Sequence, residues 1–511
     1  MKPFRLGWIV ILILSAGVVS ASDWPMWGHG PSRNMVSEEK NLPESWEPGK
    51  YKPNSEEIDM ATTKGVKWVA KLGSQAYGNP TIAGGKVFVG TNNETPRDPK
   101  YKGDRAVMMC FDEKTGKFLW QLNAPKLGTG KISDWEYLGI CSSPAVDGDH
   151  VYVVSNRGEV LCLDVNGMAN GNDGPYKEEA QYNAGPGKPP VDVGSTDADI
   201  IWRFDMREEL GVFPHNISSS SILIAGDKLF CATSNGVDWN HTNIPNPRAP
   251  ACVMLDKNTG KLLGEEAEGV STRTFHSNWS SQAFGKVGSQ DMMFFGGGDG
   301  WCYGFSTTPE KAADGISTLK AVWKYDCDKP EYRMKDGKPR KYATPDGPSE
   351  VIATPVFYNN RVYVPIGQDP EHGEGIGHFY AIDATKRGDI TTTGRVWHFD
   401  KIRRAISTAA IADGLVYIAD FSGFLHCLDV RTGQLYWTHD VFAAVWGSPM
   451  VADGKVYLGD EDGDVVVMAH GKEKKVLAEM NMGSAVYATA VPAHGTLFLN
   501  NRSQLFALAV K

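Results

Sequence analysis

Five side chains able to hold a divalent cation fall within ten residues of "GQDPEHGEGIGHFYAID" (Gly367 to Asp383): Asp369, Glu371, His372, Glu374 and His378. Carboxylate oxygens and imidazole nitrogens at this density suit a divalent metal, but their spacing matches no standard metal motif. A solvated loop that braces its neighbours is the competing reading. The segment "SNGVDWNHTNIPNPRAP" (Ser234 to Pro250) is similar, with Trp239 and His241. Elsewhere Tyr77, Trp279, Trp446 and Tyr487 offer aromatic faces, while His276, Glu350 and Arg404 offer charge or hydrogen bonds. Rings with a few converging polar groups make a pocket for a planar or polar ligand, provided that the fold gathers them. No pattern assigns a catalytic residue.

Composition narrows the classes. The 511 residues carry a net charge of -9 and no Lys/Arg cluster, which argues against a nucleic-acid partner. The opening "MKPFRLGWIVILILSAGVVSAS" places Lys2 and Arg5 before an apolar run, Leu6 to Val19, and then small residues. That pattern predicts a secretory signal over residues 1–21 and a periplasmic or secreted protein. The run is short for a membrane span, and with the first cysteine at Cys110 no lipid anchor is expected. Cys110, Cys162 and Cys427 each precede an apolar residue and an Asp, so they are expected to be buried free thiols.

The elements that must position these residues repeat. "MCFDEKTGKFLW" at Met109, "MLDKNTGKLLG" at Met254 and "LHCLDVRTGQLYW" at Leu425 each give an apolar strand, an Asp, a Gly turn and a second strand. Strand pairs such as "SPAVDGDHVYVV" (Ser143) and "SPMVADGKVYLG" (Ser448) recur in eight copies. Four short antiparallel strands per copy is a propeller blade. The reading is therefore all-β, an eight-bladed β-propeller over residues 65–511, preceded by a Trp-rich strap over 22–64. Outer-strand Trp68, Trp120, Trp202, Trp323, Trp397 and Trp437 should pack between blades, with Leu263-Gly264 and Val476 replacing Trp in blades three and seven. The last copy ends at "LFALAVK" without a fourth strand. "GVKWVAKLG" (Gly65 to Gly73) is expected to supply it and so remove a free edge.

This repeated phrase resembles that of the pyrroloquinoline-quinone (PQQ)-type eight-bladed propellers. Within them the chain is similar to exported bacterial PQQ-like repeat proteins that open on a Trp-rich stretch, here "DWPMWGHGPSRNMVSEEKNLPESW" (Asp23 to Trp46). The resemblance implies the fold over nearly the whole chain and leaves the activity open. The dehydrogenases of this group use quinone, calcium and a clamp of two adjacent Cys, and no two Cys are adjacent here. Quinone and calcium are thus disfavoured, and the reading leans away from an enzyme.

Strand phase places the long second-to-third loops and most long inter-blade links on one face. The small residues Asn79, Ser143, Ser221, Ser281, Thr354, Thr408, Ser448 and Thr489 face the axis, where their hydroxyls are expected to satisfy backbone groups. The expected function is a monomeric, exported scaffold that binds a protein, peptide or glycan on its loop-rich face. The alternatives are a quinone-dependent alcohol or sugar dehydrogenase and an outer-membrane assembly scaffold.

Overall fold

The computed structural model describes residues 22–313, 315–340, 348–367 and 377–510. Eight four-stranded antiparallel blades span residues 81–125, 145–205, 223–266, 283–326, 356–399, 410–440 and 450–481, then 491–508. The second and third strands of each blade lie between neighbouring blades and read as apolar runs, as in buried Arg105–Asp112. Outer strands instead alternate: in Leu435–Asp440 the buried positions are Trp437 and His439.

The eighth blade closes as its missing strand requires. Val66–Lys71 pairs antiparallel with Gln504–Leu508, Val69 opposite Phe506 and Lys71 opposite Gln504. The ring therefore has no open blade edge where its two ends meet.

The repeated turn and Trp form one device. A register shift falls beside the Trp slot in all eight blades, and such a bulge re-aims a side chain. The Trp68 indole donates to the Glu113 carbonyl of blade one (2.9 Å) and the Trp397 indole to the Val430 carbonyl of blade six (3.0 Å). The turn glycine of the following blade lies against the same ring. A Cβ on Gly433, at φ +71°, would come within 2.8 Å of Trp397 Cδ2. In blade three Gly264 occupies the slot. In blade seven the register puts Ala478 opposite Val467, so the slot is two residues beyond the expected Val476 because the bulge offsets the count. Gly433→Ala should cost about 2–3 kcal/mol in urea denaturation, from positive φ and overpacking together. Gly454→Ala, at φ +69° with open space around the added methyl, should cost only about 1 kcal/mol.

Residues 22–64 cross the face opposite the long loops and touch every blade. Trp24 exchanges backbone hydrogen bonds with Ile82, and the carbonyls of Pro25, Pro31, Ser32 and Met35 accept from Val146, Phe284, Phe357 and Val451. Asn34 exchanges two bonds with Ile411, and Glu39 accepts from Gly495 N. Arg33 reaches the remaining blade: its guanidinium donates to the carbonyls of Ser221, Gln282 and Trp27. These contacts fall at the ends of the innermost strands, so the strap floors the channel.

All eight cysteines are free, and seven are buried. No helix among the described residues is long and apolar enough to cross a membrane.

Candidate functional site at the channel mouth

The small axial residues form a hydrogen-bonded belt. The backbone N–H groups of Asn79, Ser143 and Ser221 donate to the hydroxyls of Ser143, Ser221 and Ser281, each on the next blade, at 2.9–3.2 Å. Thr408 and Ser448 donate likewise to Ser448 and Thr489 at 2.8 Å, and Thr489 closes onto the Asn79 side chain. These hydroxyls brace the inner strands, as expected, and are in large part committed to the ring.

Above the belt is a cavity of about 470 Å³, with Trp27 of the strap among its lining residues. Tyr77, Trp279, Trp446 and Tyr487 all line it, joined by Trp135, Ile217, Ile352 and Ile406. Tyr77 stacks on Tyr487 with ring centroids 4.5 Å apart, and Trp446 packs edge-on against Tyr487 at 5.5 Å. Trp279 is pinned by its indole N–H, which donates to the carbonyls of His215 (3.2 Å) and Ile217 (3.1 Å). Cys141 also lines the cavity, but burial pushes its thiol up to about 12, so it stays protonated and unreactive near neutral pH.

The other expected residues divide. His241 and His276 converge, and with them His215, from the link between blades two and three. His241 Nε2 lies 3.2 Å from His215 Nε2 and 2.9 Å from His276 Nε2. Glu350 is buried beside them, its carboxylate 3.8 Å from His276 Nδ1. Trp239, on the same loop as His241, is half exposed. Arg404 is buried with its guanidinium over the Phe421 ring, 4.5 Å from the centroid. His378 lies in the strand His378–Asp383, its Nδ1 3.0 Å from His398 Nε2; burial, aided by His398, pushes its pKa down to about 4. Asp369, Glu371, His372 and Glu374 fall outside the described residues.

Backbone bonds between three segments hold the histidines together. His215 N donates to Ser234 O and Val237 N to His276 O, and Gly236 bridges Ser277. Gly236 permits this approach, since a Cβ there would lie 2.5 Å from His276 O. The sequence reading missed His215: it stands alone in "GVFPHNISS", and only its position in a long link marks it.

The described cavity lining does not fit a quinone with calcium. It contains no carboxylate for a calcium ion, which takes oxygen ligands, and no Lys or Arg for the acidic groups of PQQ.

A family profile described as outer membrane protein assembly factor BamB matches residues 58–165 and 377–508. Among solved structures, BamB from Moraxella catarrhalis is 14% identical with a TM-score of 0.51, over 87% of this chain and 97% of that one. A quinohemoprotein alcohol dehydrogenase from Pseudomonas putida is 12% identical with a TM-score of 0.55, over 95% and 80%. A europium-containing methanol dehydrogenase is 11% identical with a TM-score of 0.50, over 96% and 98%. No curated protein matches the sequence at a significant level. At these identities the structures share the fold and nothing finer. The eight blades make this chain an eight-bladed β-propeller, and the profile match and recurrent turn-and-Trp phrase make it similar to the PQQ-like repeat propellers over the matched residues.

Proposed function

We propose that this protein is an exported binding scaffold that captures its ligand or partner at the loop-rich mouth of the channel. One observation carries the reading: an aromatic-walled cavity of about 470 Å³, floored by the strap and lined by residues of several blades. Its walls suit a planar or ring-bearing group, such as a sugar face or an aromatic side chain, by stacking. The half-exposed Trp239 extends the same surface outward for a larger partner. The family profile's description adds a protein partner in outer-membrane assembly as one form of this role. Export rests on the signal pattern of residues 1–21.

The test is a tryptophan-fluorescence titration of the purified protein with a panel of glycans, aromatic-tipped peptides and planar aromatic acids. Saturable quenching by at least one class, weakened about tenfold or more by Trp279→Ala and Tyr77→Ala, supports the reading. Binding indifferent to both substitutions would remove the channel from it. Reduction of an acceptor dye by an alcohol in the presence of quinone and calcium would replace it with a dehydrogenase.

A further inference from the structure

We propose that His215, His241 and His276 bind one first-row transition-metal dication, zinc in the first instance, behind the channel wall formed by Trp279. Each ring offers a nitrogen to one small volume, with all three donor atoms within 4.8 Å of one another. Zinc bound by imidazole at about 2.0–2.1 Å needs tetrahedral neighbours about 3.3 Å apart and octahedral ones about 2.9 Å. The two Nε2 separations, 3.2 and 2.9 Å, match that scale.

Protons alone serve this arrangement poorly. His215 Nδ1 lies 2.7 Å from the Val237 carbonyl, which can only accept, so in the neutral ring Nδ1 carries the proton. Its Nε2 therefore presents a lone pair to His241 Nε2. His241 Nε2 also faces His276 Nε2, and one N–H on it can point squarely at only one of these two neighbours. A single metal ion would accept a lone pair from all three rings at once.

The surroundings are those of a metal site. A carbonyl on the far nitrogen of His215 and a carboxylate facing the far nitrogen of His276 are the outer partners that fix tautomer and raise basicity in histidine metal centres. His241 is held in place by its own loop: Asp238 accepts from the N–H groups of Thr242 (2.9 Å) and Asn243 (3.2 Å), and His241 takes the left-handed φ of 52°. An all-imidazole donor set selects zinc, copper, nickel or iron over calcium and magnesium, which prefer oxygen. Trp279 packs edge-on against His276 with centroids 4.9 Å apart, so the ion would couple loop order to the channel wall.

The experiment uses the purified full-length protein, stripped with chelator and dialysed separately against zinc, cobalt(II) and calcium. Metal content is read by mass spectrometry and cobalt by its d–d absorption. One zinc per chain, one cobalt with a histidine-type spectrum and no retained calcium are expected. His241→Ala, on the surface loop, should weaken zinc at least about 100-fold with little change in melting temperature, and Glu350→Gln about 10–100-fold. His150→Ala, remote from the cluster, should change nothing. Substoichiometric zinc, or zinc that survives His241→Ala unchanged, overturns the proposal. Metal content is read without any channel ligand, so this test and the fluorescence titration fail independently.

Discussion

Arg33→Met is expected to lower unfolding free energy by about 3 kcal/mol or more, because it leaves carbonyls on two blades and the strap without a donor. Arg33 is fully buried, and its Nε, Nη1 and Nη2 donate to Gln282, Trp27 and Ser221 carbonyls at 2.7, 2.7 and 3.0 Å. No salt bridge to it is seen among the described residues, and desolvation pushes its pKa down to about 9, so the folded protein keeps the charge at neutral pH against a real burial cost. That cost makes the geometry of the fork decisive. Arg33→Lys keeps the charge but cannot place one ammonium on three separated carbonyls, so it should cost at least as much as Arg33→Met. Urea denaturation monitored by circular dichroism gives both values. Losses under about 1 kcal/mol would mean that the strap is held by its backbone contacts alone. Because Trp27 accepts one of these bonds and also lines the cavity, either variant should weaken a channel ligand as well.

Removing residues 22–73 is expected to abolish cooperative folding. The truncation deletes the strap and leaves Gln504–Leu508 as an edge strand of the eighth blade, paired on one side only. An exposed apolar strand edge recruits other chains, so soluble yield should collapse into aggregates. A smaller lesion separates closure from flooring. Trp68→Ala leaves the strap and the strand ladder intact but removes a buried ring that packs on Gly116 and donates to Glu113, and should cost about 3–5 kcal/mol. A truncated protein that purifies as a monomer with the parental melting temperature would show that the ring does not need its eighth outer strand.

The blades were legible because their grammar is local. Asp, a positive-φ Gly and a Trp a few residues later describe one hairpin, and the hairpin recurs. The aromatic mouth was legible for a related reason: Tyr77, Trp279, Trp446 and Tyr487 hold equivalent positions ahead of their innermost strands, so strand phase alone placed them together. The histidine cluster was only half visible. His215 and His241 are 26 residues apart, His241 and His276 are 35, and their meeting depends on backbone bridges among two inter-blade links and one loop that no side-chain pattern announces. Local density drew attention to Asp369 through His378 instead. The strap's reach was hidden too, since most of its contacts to the blades use backbone groups that every residue possesses.

The closure of the eighth blade also sets an order of events during synthesis. Val69 and Phe506 are roughly 440 residues apart, so at about 5–20 residues per second the first partner waits roughly 20–90 s for the second. Trp24 and Trp68 gain partners early, at Ile82 and Glu113 of blade one, but Trp46, which packs on Met482, and the Val66–Lys71 strand must wait for the last blades. The nascent chain thus carries an apolar N-terminal region that is made first and fully buried last. Its burial is complete only when the last blade is made, and until then the exposed apolar region is prone to aggregation.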